Sequence, residues 1–157
     1  VPGGGWGGAA WEDIEDWLAA IRQVSVLEKL PLYVLMHGAG AGEGLSQAQK
    51  TPPRFAGLAV IAGQSQQPLQ SIPKDFPPVM LVEAGKDALV PADAVRRAGL
   101  LFQRRLRAFE YALFAEEDHQ AVRAAAAPRA FAFFEALAAG VWKPSGQPVP
   151  LPGGRAQ

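Results

Sequence analysis

Short apolar runs alternate with longer amphipathic stretches along this chain. Four runs of strand length are almost continuously apolar, which is typical of strands covered on both faces. They are Leu32–Met36, Leu58–Ala62, Val79–Glu83 and Glu110–Phe114. Patterns with helical spacing or helix-forming composition predict four helices, at Ala9–Lys29, Gly42–Lys50, Asp93–Leu106 and Ala121–Ala139. The alternation predicts an α/β fold: a three-layer sandwich with a mostly parallel sheet of about four strands and helices on both faces.

Glycine and proline mark the expected limits of the folded part. Pro2–Gly8 is too rich in glycine for a regular element, and Pro31 is expected to end the first helix. Residues 63–78 are predicted to form a polar loop, and Trp142–Gln157 to lack regular structure. A chain of 157 residues fits one domain. We therefore expect a Gly-rich segment at 1–8, one domain at 9–140 and a Pro/Gly-rich tail at 141–157. Within the last helix, the buried side is expected to carry Phe131, Phe133 and Phe134.

Composition removes several classes of function. Fifteen Lys and Arg residues balance fifteen Asp and Glu residues, so no field of one sign is available to attract nucleic acid or an anionic membrane. The absence of cysteine excludes disulfides, thiolate metal sites and cysteine nucleophiles. Two histidines among scattered carboxylates lack the spacing of a metal site. Because the chain begins at Val1 with a Gly-rich stretch and no signal peptide, we expect a processed product or a fragment.

Candidate chemistry follows the strands. In an open parallel sheet, functional residues gather at the carboxyl ends of the strands. Polar or Gly-rich segments follow three of the predicted strands, at His37–Gly42, Ala84–Ala88 and Glu116–His119. We expect these three segments to meet at one edge of the sheet.

These segments carry a family resemblance. Tyr33–Ala41 (YVLMHGAGA) resembles the strand, turn and helix around the nucleophile of serine α/β-hydrolases, particularly the prolyl-oligopeptidase-like and feruloyl-esterase-like branch. Pro53–Ala56 (PRFA) is similar to the sequence that follows there, and Pro78–Pro91 to the segment in which an Asp precedes Val-Pro. Glu110–His119 is similar to the last strand and the His beyond it. The resemblance spans about residues 5–140 and implies the C-terminal half of an α/β-hydrolase fold, related to serine esterases and peptidases.

The resemblance also implies roles for individual residues. Asp87 takes the position of the triad acid and His119 that of the triad base. The nucleophile position falls on Gly38 or, with the register shifted by two, on Gly40, and neither residue has a hydroxyl. The Ala39 N–H would contribute to an oxyanion hole. Because glycine accommodates the positive φ of such a turn at no steric cost, the fold can persist without the serine.

A rival interpretation starts from the same glycines. A Gly-rich turn between a strand and a helix also binds dinucleotides, through a G-x-G-x-x-G pattern. Counted from either candidate glycine, the pattern needs glycine where Glu43 or Leu45 stands, which argues against nucleotide binding. Of the other polar residues near the turn, we expect His37 to be a packing residue and Ser46 a surface hydroxyl.

Two hypotheses for function follow. In the first, the domain is a catalytically impaired relative of serine hydrolases, because Gly38 replaces the nucleophile, and it acts in binding or assembly. In the second, the chain is part of an active serine hydrolase for ester or peptide bonds, with its nucleophile altered or its N-terminal half supplied elsewhere. A third possibility is that His119 activates a water in the space left by serine.

The partners expected from this reasoning are few. The resemblance implies a small ester or peptide ligand and no cofactor, whereas composition and spacing argue against a metal, nucleic acid or a membrane. It also covers only the last four of about eight strands, so the edge at Leu32–Met36 should lack a neighbour. We therefore expect a homo-oligomer, or a complementary chain, paired at that edge.

Overall fold

The sheet and helices follow the predicted α/β pattern. The structure, a computed structural model, describes residues 8–24, 30–63, 72–106, 108–144 and 146–153. Within them four strands form one parallel sheet in the order β1-β2-β3-β4. In chain order the elements are α1 (Gly8–Arg22), β1 (Leu32–His37), α2 (Gly40–Lys50), a 3-10 turn (Pro52–Arg54), β2 (Phe55–Ile61), β3 (Val79–Ala84), α3 (Ala92–Arg105), β4 (Phe109–Phe114) and α4 (Ala121–Ala138). The predicted fold class is confirmed.

Two hydrophobic layers cover the two faces of the sheet. Along β2, Leu58 and Val60 point to one layer and Ala59 and Ile61 to the other. The first layer holds side chains of α2 and α3, and Trp11 of α1 packs on Phe55 with ring centroids 6.4 Å apart. The second layer is formed by the small and aromatic residues of α4. Because side chains alternate across a strand, near-continuous apolar runs fill both layers at once.

Two helical predictions need correction. The first helix ends at Arg22 rather than at Lys29, and residues 25–29 lie outside the described part of the chain. The apolar stripe that predicted the longer helix is half-buried at Trp11, Ile14 and Leu18, but its last described members, Ile21 and Val24, are exposed. Without burial of its apolar face a short helix gains little stability. On α4, Phe131 is 58% exposed whereas Phe133 and Phe134 are buried, because the buried stripe follows the 3.6-residue period and Phe131 lies off it.

The observed bounds of other elements differ less from the predicted bounds. β2 begins at Phe55, three residues before the predicted start, and α2 begins at Gly40. The predicted Gly-rich segment at 1–8 lies outside the described residues except for Gly8, and so do residues 64–71 of the polar loop. Among the described helices, none is long and apolar enough to cross a membrane.

The two outer strands of the sheet, β1 and β4, differ in what lies beside their outer sides. The tail covers the outer side of β4: the Gln147 N–H donates to the Tyr111 carbonyl over 2.9 Å, and the Leu113 N–H donates to the Gln147 side-chain oxygen over 2.7 Å. Val149 is buried in the core beside Gly99. Beside the outer side of β1, by contrast, no strand lies among the residues described. The tail, which forms neither helix nor strand where it is described, thus acts as a cover for β4.

Candidate active site

The segment after β1 forms a tight turn into α2. Gly38 follows the strand directly with φ 57°, in the left-handed region that favours glycine. Its N–H donates to the Ile61 carbonyl over 3.1 Å, and its own carbonyl accepts from the Ala41 N–H over 3.2 Å. Ala39 has helical dihedral angles and stands immediately before α2. We call Gly38 and Ala39 the β1–α2 turn.

The end of β2 packs closely beneath this turn. A Cβ built on Gly63 would stand 2.3 Å from the Ala41 Cβ and 3.0 Å from the Gly38 carbonyl oxygen, so only glycine fits there. Ala62, just before it, has φ 45°, which is a strained conformation for a residue with a side chain. The hydrogen bond from Gly38 to Ile61 and the close packing of Gly63 therefore both fix the β1–α2 turn against the end of β2.

Asp87 and His119 come from two loops that are joined by backbone hydrogen bonds. Asp87 follows β3 and His119 follows β4. The Gly85 N–H donates to the Phe114 carbonyl and the Lys86 N–H to the Glu117 carbonyl, both over 2.9 Å. These bonds align the two loops, so that His119 Nδ1 lies 2.8 Å from Asp87 Oδ2.

The hydrogen bonds of Asp87 fix its orientation and its charge. Its other oxygen, Oδ1, accepts from the N–H groups of Leu89 and Val90. Burial would raise the pKa of this carboxyl, but the bonds from Val90, His119 and Leu89 outweigh burial and hold the pKa below its ordinary value of 3.8. Asp87 is therefore a carboxylate at neutral pH and accepts the Nδ1–H of His119. In the neutral imidazole, this leaves the lone pair on Nε2.

The free nitrogen of His119 faces the β1–α2 turn. An ideal Cβ on Gly38 would stand 2.9 Å from His119 Nε2 and 3.3 Å from His119 Cε1. Asp87, His119 and Gly38 therefore lie in a row, at the carboxyl ends of β3, β4 and β1. The structure brings together the three residues that the sequence selected, whereas a Cβ on Gly40 would have nothing within 4 Å. The geometry thus favours Gly38 over Gly40 as the residue opposite the imidazole; the catalytic roles themselves stay predictions.

His37 does more than pack. Its Nε2 donates to the His119 carbonyl oxygen over 2.7 Å, and the two imidazole rings have centroids 4.7 Å apart. His37 thus ties the end of β1 to the loop that carries His119. The sequence analysis missed this contact because it joins residues 82 positions apart.

A buried ionic cluster lies at the base of the Asp87 loop. Glu83, at the end of β3, is 2% exposed and forms a bidentate pair with Arg96 of α3. The Tyr111 hydroxyl donates to Glu83 Oε2 over 2.6 Å, and burial together with this bond raises the pKa of Tyr111, so the hydroxyl keeps its proton. The cluster links β3, α3 and β4 around the loop that presents Asp87. Glu83 ends a run predicted to be covered on both faces, which indicates a buried charge, but no sequence signal identifies Arg96 as its partner.

The surroundings of the turn are partly open. A cleft of about 360 Å³ lies along the outer side of β1 and is lined at one end by His37 and Gly40. Ala39 is exposed, and its N–H points from the start of α2, where backbone donors lack helical partners. Among the described residues no group of three or more His, Cys, Asp and Glu side chains could hold a metal ion. Ser46 is half-buried on α2.

Comparisons with known proteins agree on the fold. No protein-family model and no curated protein matches this sequence. The structure of YahD with malic acid matches with a TM-score of 0.55 at 14% identity, over 79% of this chain and 62% of that one. A puromycin-hydrolysing peptidase of Mycobacterium tuberculosis matches with a TM-score of 0.58 at 18% identity, over 85% of this chain and 26% of that one. This chain spans less than two thirds of the length of either. It has a partial α/β-hydrolase-like fold.

Proposed function

We propose that this chain is a catalytically impaired relative of serine esterases and peptidases that binds ester or peptide carbonyl groups without forming an acyl-enzyme. One observation carries the proposal: His119 Nε2 is aimed at the position of the absent Gly38 side chain, while Asp87 holds the other ring nitrogen. In a serine hydrolase the imidazole takes a proton from a hydroxyl at this point. Glycine has no such oxygen, so the covalent step cannot occur here.

The backbone of the site can still bind a carbonyl group. The Ala39 N–H stands at the start of an 11-residue helix, where the backbone dipoles favour a partial negative charge. A carbonyl oxygen that accepts this bond would place its acyl carbon beside Gly38 and within reach of His119. Supporting this, the region beside Gly40 is open and continues into the cleft along β1.

A fluorophosphonate probe tests the loss of the nucleophile, because it labels activated serine hydroxyls. We expect no labelling of the natural chain and about one equivalent on Gly38→Ser, measured by intact-protein mass spectrometry and located by peptide mapping. Ser46→Ala in the Gly38→Ser background is the matched control and should keep the label. Stoichiometric labelling of the natural chain would contradict the proposal.

A second measurement tests binding directly. N-acetylalanine methyl ester, titrated at millimolar concentration into the ¹⁵N-labelled protein, should shift the backbone amide resonance of Ala39. The amide resonance of Phe102 serves as the internal control, because Phe102 packs on Phe109 at the amino end of β4, opposite the sheet edge that carries the site. Absence of a shift at Ala39 would overturn the binding role.

The second candidate function is part of an active serine hydrolase whose other strands come from elsewhere. The open outer side of β1 favours it, together with the share of each solved chain that this chain covers. Under this candidate, Gly38→Ser combined with the complementary segment should hydrolyse p-nitrophenyl acetate over many turnovers. A flat trace from the folded variant together with that segment would count against it.

A further inference from the structure

We propose that a water bound between Gly38 and His119 serves as the nucleophile for slow, direct hydrolysis of acyl esters. The inference rests on the proposed function, because the acyl group is the one held at the Ala39 N–H. It differs in adding turnover by a route that needs no serine.

The absence of a side chain at Gly38 leaves open the space that the lone pair of His119 Nε2 faces. The ideal Cβ position of Gly38 is 2.9 Å from His119 Nε2, so a side chain there would fill this space. Apart from the Gly38 chain neighbours, His119 supplies the heavy atoms that lie within 4 Å of this position among the described residues. A water beside this position, at ordinary contact distance from the Gly38 Cα, would donate to Nε2 over a normal hydrogen-bond length.

His119 is held ready to act as a base. Its Nδ1–H is engaged by Asp87, whose side chain is 4% exposed, so the tautomer with the lone pair on Nε2 is favoured. The bond from His37 fixes the His119 backbone. A water that donates to the imidazole therefore binds an acceptor, His119 Nε2, whose orientation is already fixed.

The reaction balances with these groups alone. Water gives one proton to His119 Nε2 as its oxygen bonds to the acyl carbon, and the carbonyl oxygen takes negative charge beside the Ala39 N–H. The carbon–oxygen bond to the leaving group then breaks, and the leaving alkoxide receives the proton from Nε2. The products are a carboxylic acid and an alcohol, and His119 returns to its starting state.

Gly38→Ala tests the step, because its methyl group would press on His119 Nε2 and exclude a water from the space between Gly38 and the imidazole. We expect the natural chain to hydrolyse p-nitrophenyl acetate above the buffer rate, and Gly38→Ala to lower kcat/KM about 100-fold or more, in line with what a general base contributes. Gly140→Ala is the matched control: Gly140 also has a positive φ, 67°, but a Cβ there touches nothing within 4 Å, so its activity should equal that of the natural chain. Circular dichroism checks that each variant is folded.

His119→Asn is the second variant and introduces no backbone strain. We expect a loss of about the same size, and no acylated protein by mass spectrometry during turnover of the natural chain. Equal rates for the natural chain and Gly38→Ala, a natural-chain rate no higher than buffer, or an acyl adduct on His119 would each overturn this inference. None of these results would touch the proposed loss of the serine nucleophile, which fluorophosphonate labelling tests separately.

Discussion

The β4 side and the β1 side of the sheet differ in how completely they are built. On the β4 side the loops that carry Asp87 and His119 are joined by backbone bonds, a buried ionic cluster lies at their base, and the tail covers the outer strand. On the β1 side the tight turn presents Gly38, and no strand lies on the outer side of β1 among the residues described. The difference teaches that the residues that orient Asp87 and His119 and the residue that faces the imidazole depend on separate interactions.

The physical reason is that the two halves depend on different interactions. The orientation of Asp87 and His119 arises from many hydrogen bonds, most of them to the backbone. A hydroxyl on the β1–α2 turn would contribute no packing of comparable extent, and the left-handed φ of Gly38 favours glycine over any other residue. Stability therefore accounts for the arrangement of Asp87 and His119, and it favours glycine at residue 38.

The largest expected effect on the free energy of unfolding comes from breaking the buried ionic cluster on the β4 side. Arg96→Met leaves Glu83 buried without its ionic partner, so we expect a loss of about 3–5 kcal/mol in the free energy of unfolding, measured by urea denaturation. Arg97→Met, on the exposed side of the same helix, is the control and should change stability by less than about 0.5 kcal/mol. Equal effects of the two substitutions would show that the ionic cluster does not support this side.

The β1 side is expected to respond to an added methyl group. Gly140→Ala should cost about 1–2 kcal/mol for the left-handed backbone alone. Gly38→Ala should cost about 1–3 kcal/mol more than that, because its Cβ also presses on His119 Nε2. Thermal or urea unfolding of both variants measures the difference. Equal losses would mean that the imidazole does not face the turn as described.

Acid should weaken the β4 side through Asp87. Its pKa is lowered in the folded chain, so its carboxylate stabilises the fold above the ordinary value of 3.8, and this stabilisation is lost as pH falls through the lower folded value. At pH 7 we expect Asp87→Asn to be less stable by about 1.5–3 kcal/mol, the usual worth of hydrogen bonds to a charged group. The gap to the natural chain should narrow below pH 3.8 in urea titrations, whereas exposed Asp75→Asn should follow the natural chain throughout. A gap that stays constant with pH would contradict this assignment.

The weakest effect concerns the outer side of β1. We expect a second copy to pair there, because Leu32–Met36 is apolar and uncharged, so two copies bring no like charges together. Pairing through one strand is weak, so light scattering should detect dimers only at high protein concentration. Val34→Lys should abolish them, and Leu113→Lys on β4 should not. A strictly monomeric natural chain at millimolar concentration would contradict the pairing.

Local patterns in the sequence predict the elements and the placing of the candidate site. Parallel strands bring their carboxyl ends to one edge, so Gly38, Asp87 and His119 could be expected to meet there. The helical stripe of α1 misled beyond Arg22, because a periodic pattern does not show whether a partner surface exists for its later turns. Phe131 shows the same limit on α4, where composition suggested burial and the period placed the side chain outside.

Long-range contacts account for the rest. The bond from His37 to the His119 carbonyl, and the close approach of Gly85 to the Ala115 backbone, join segments far apart in the chain. The pairing of Glu83 with Arg96 likewise depends on how α3 lies on the sheet. These contacts depend on how whole helices and strands pack together, and short sequence motifs do not predict that packing.

The cover over β4 limits how copies of this chain could assemble. Gln147 occupies the hydrogen-bonding groups of Tyr111 and Leu113, so a further strand cannot add on that side. Two chains joined back to back through β1 would form an eight-stranded sheet whose far ends are both blocked. Strand addition would stop at the dimer. The same arrangement would therefore prevent copies of the chain from assembling into fibres.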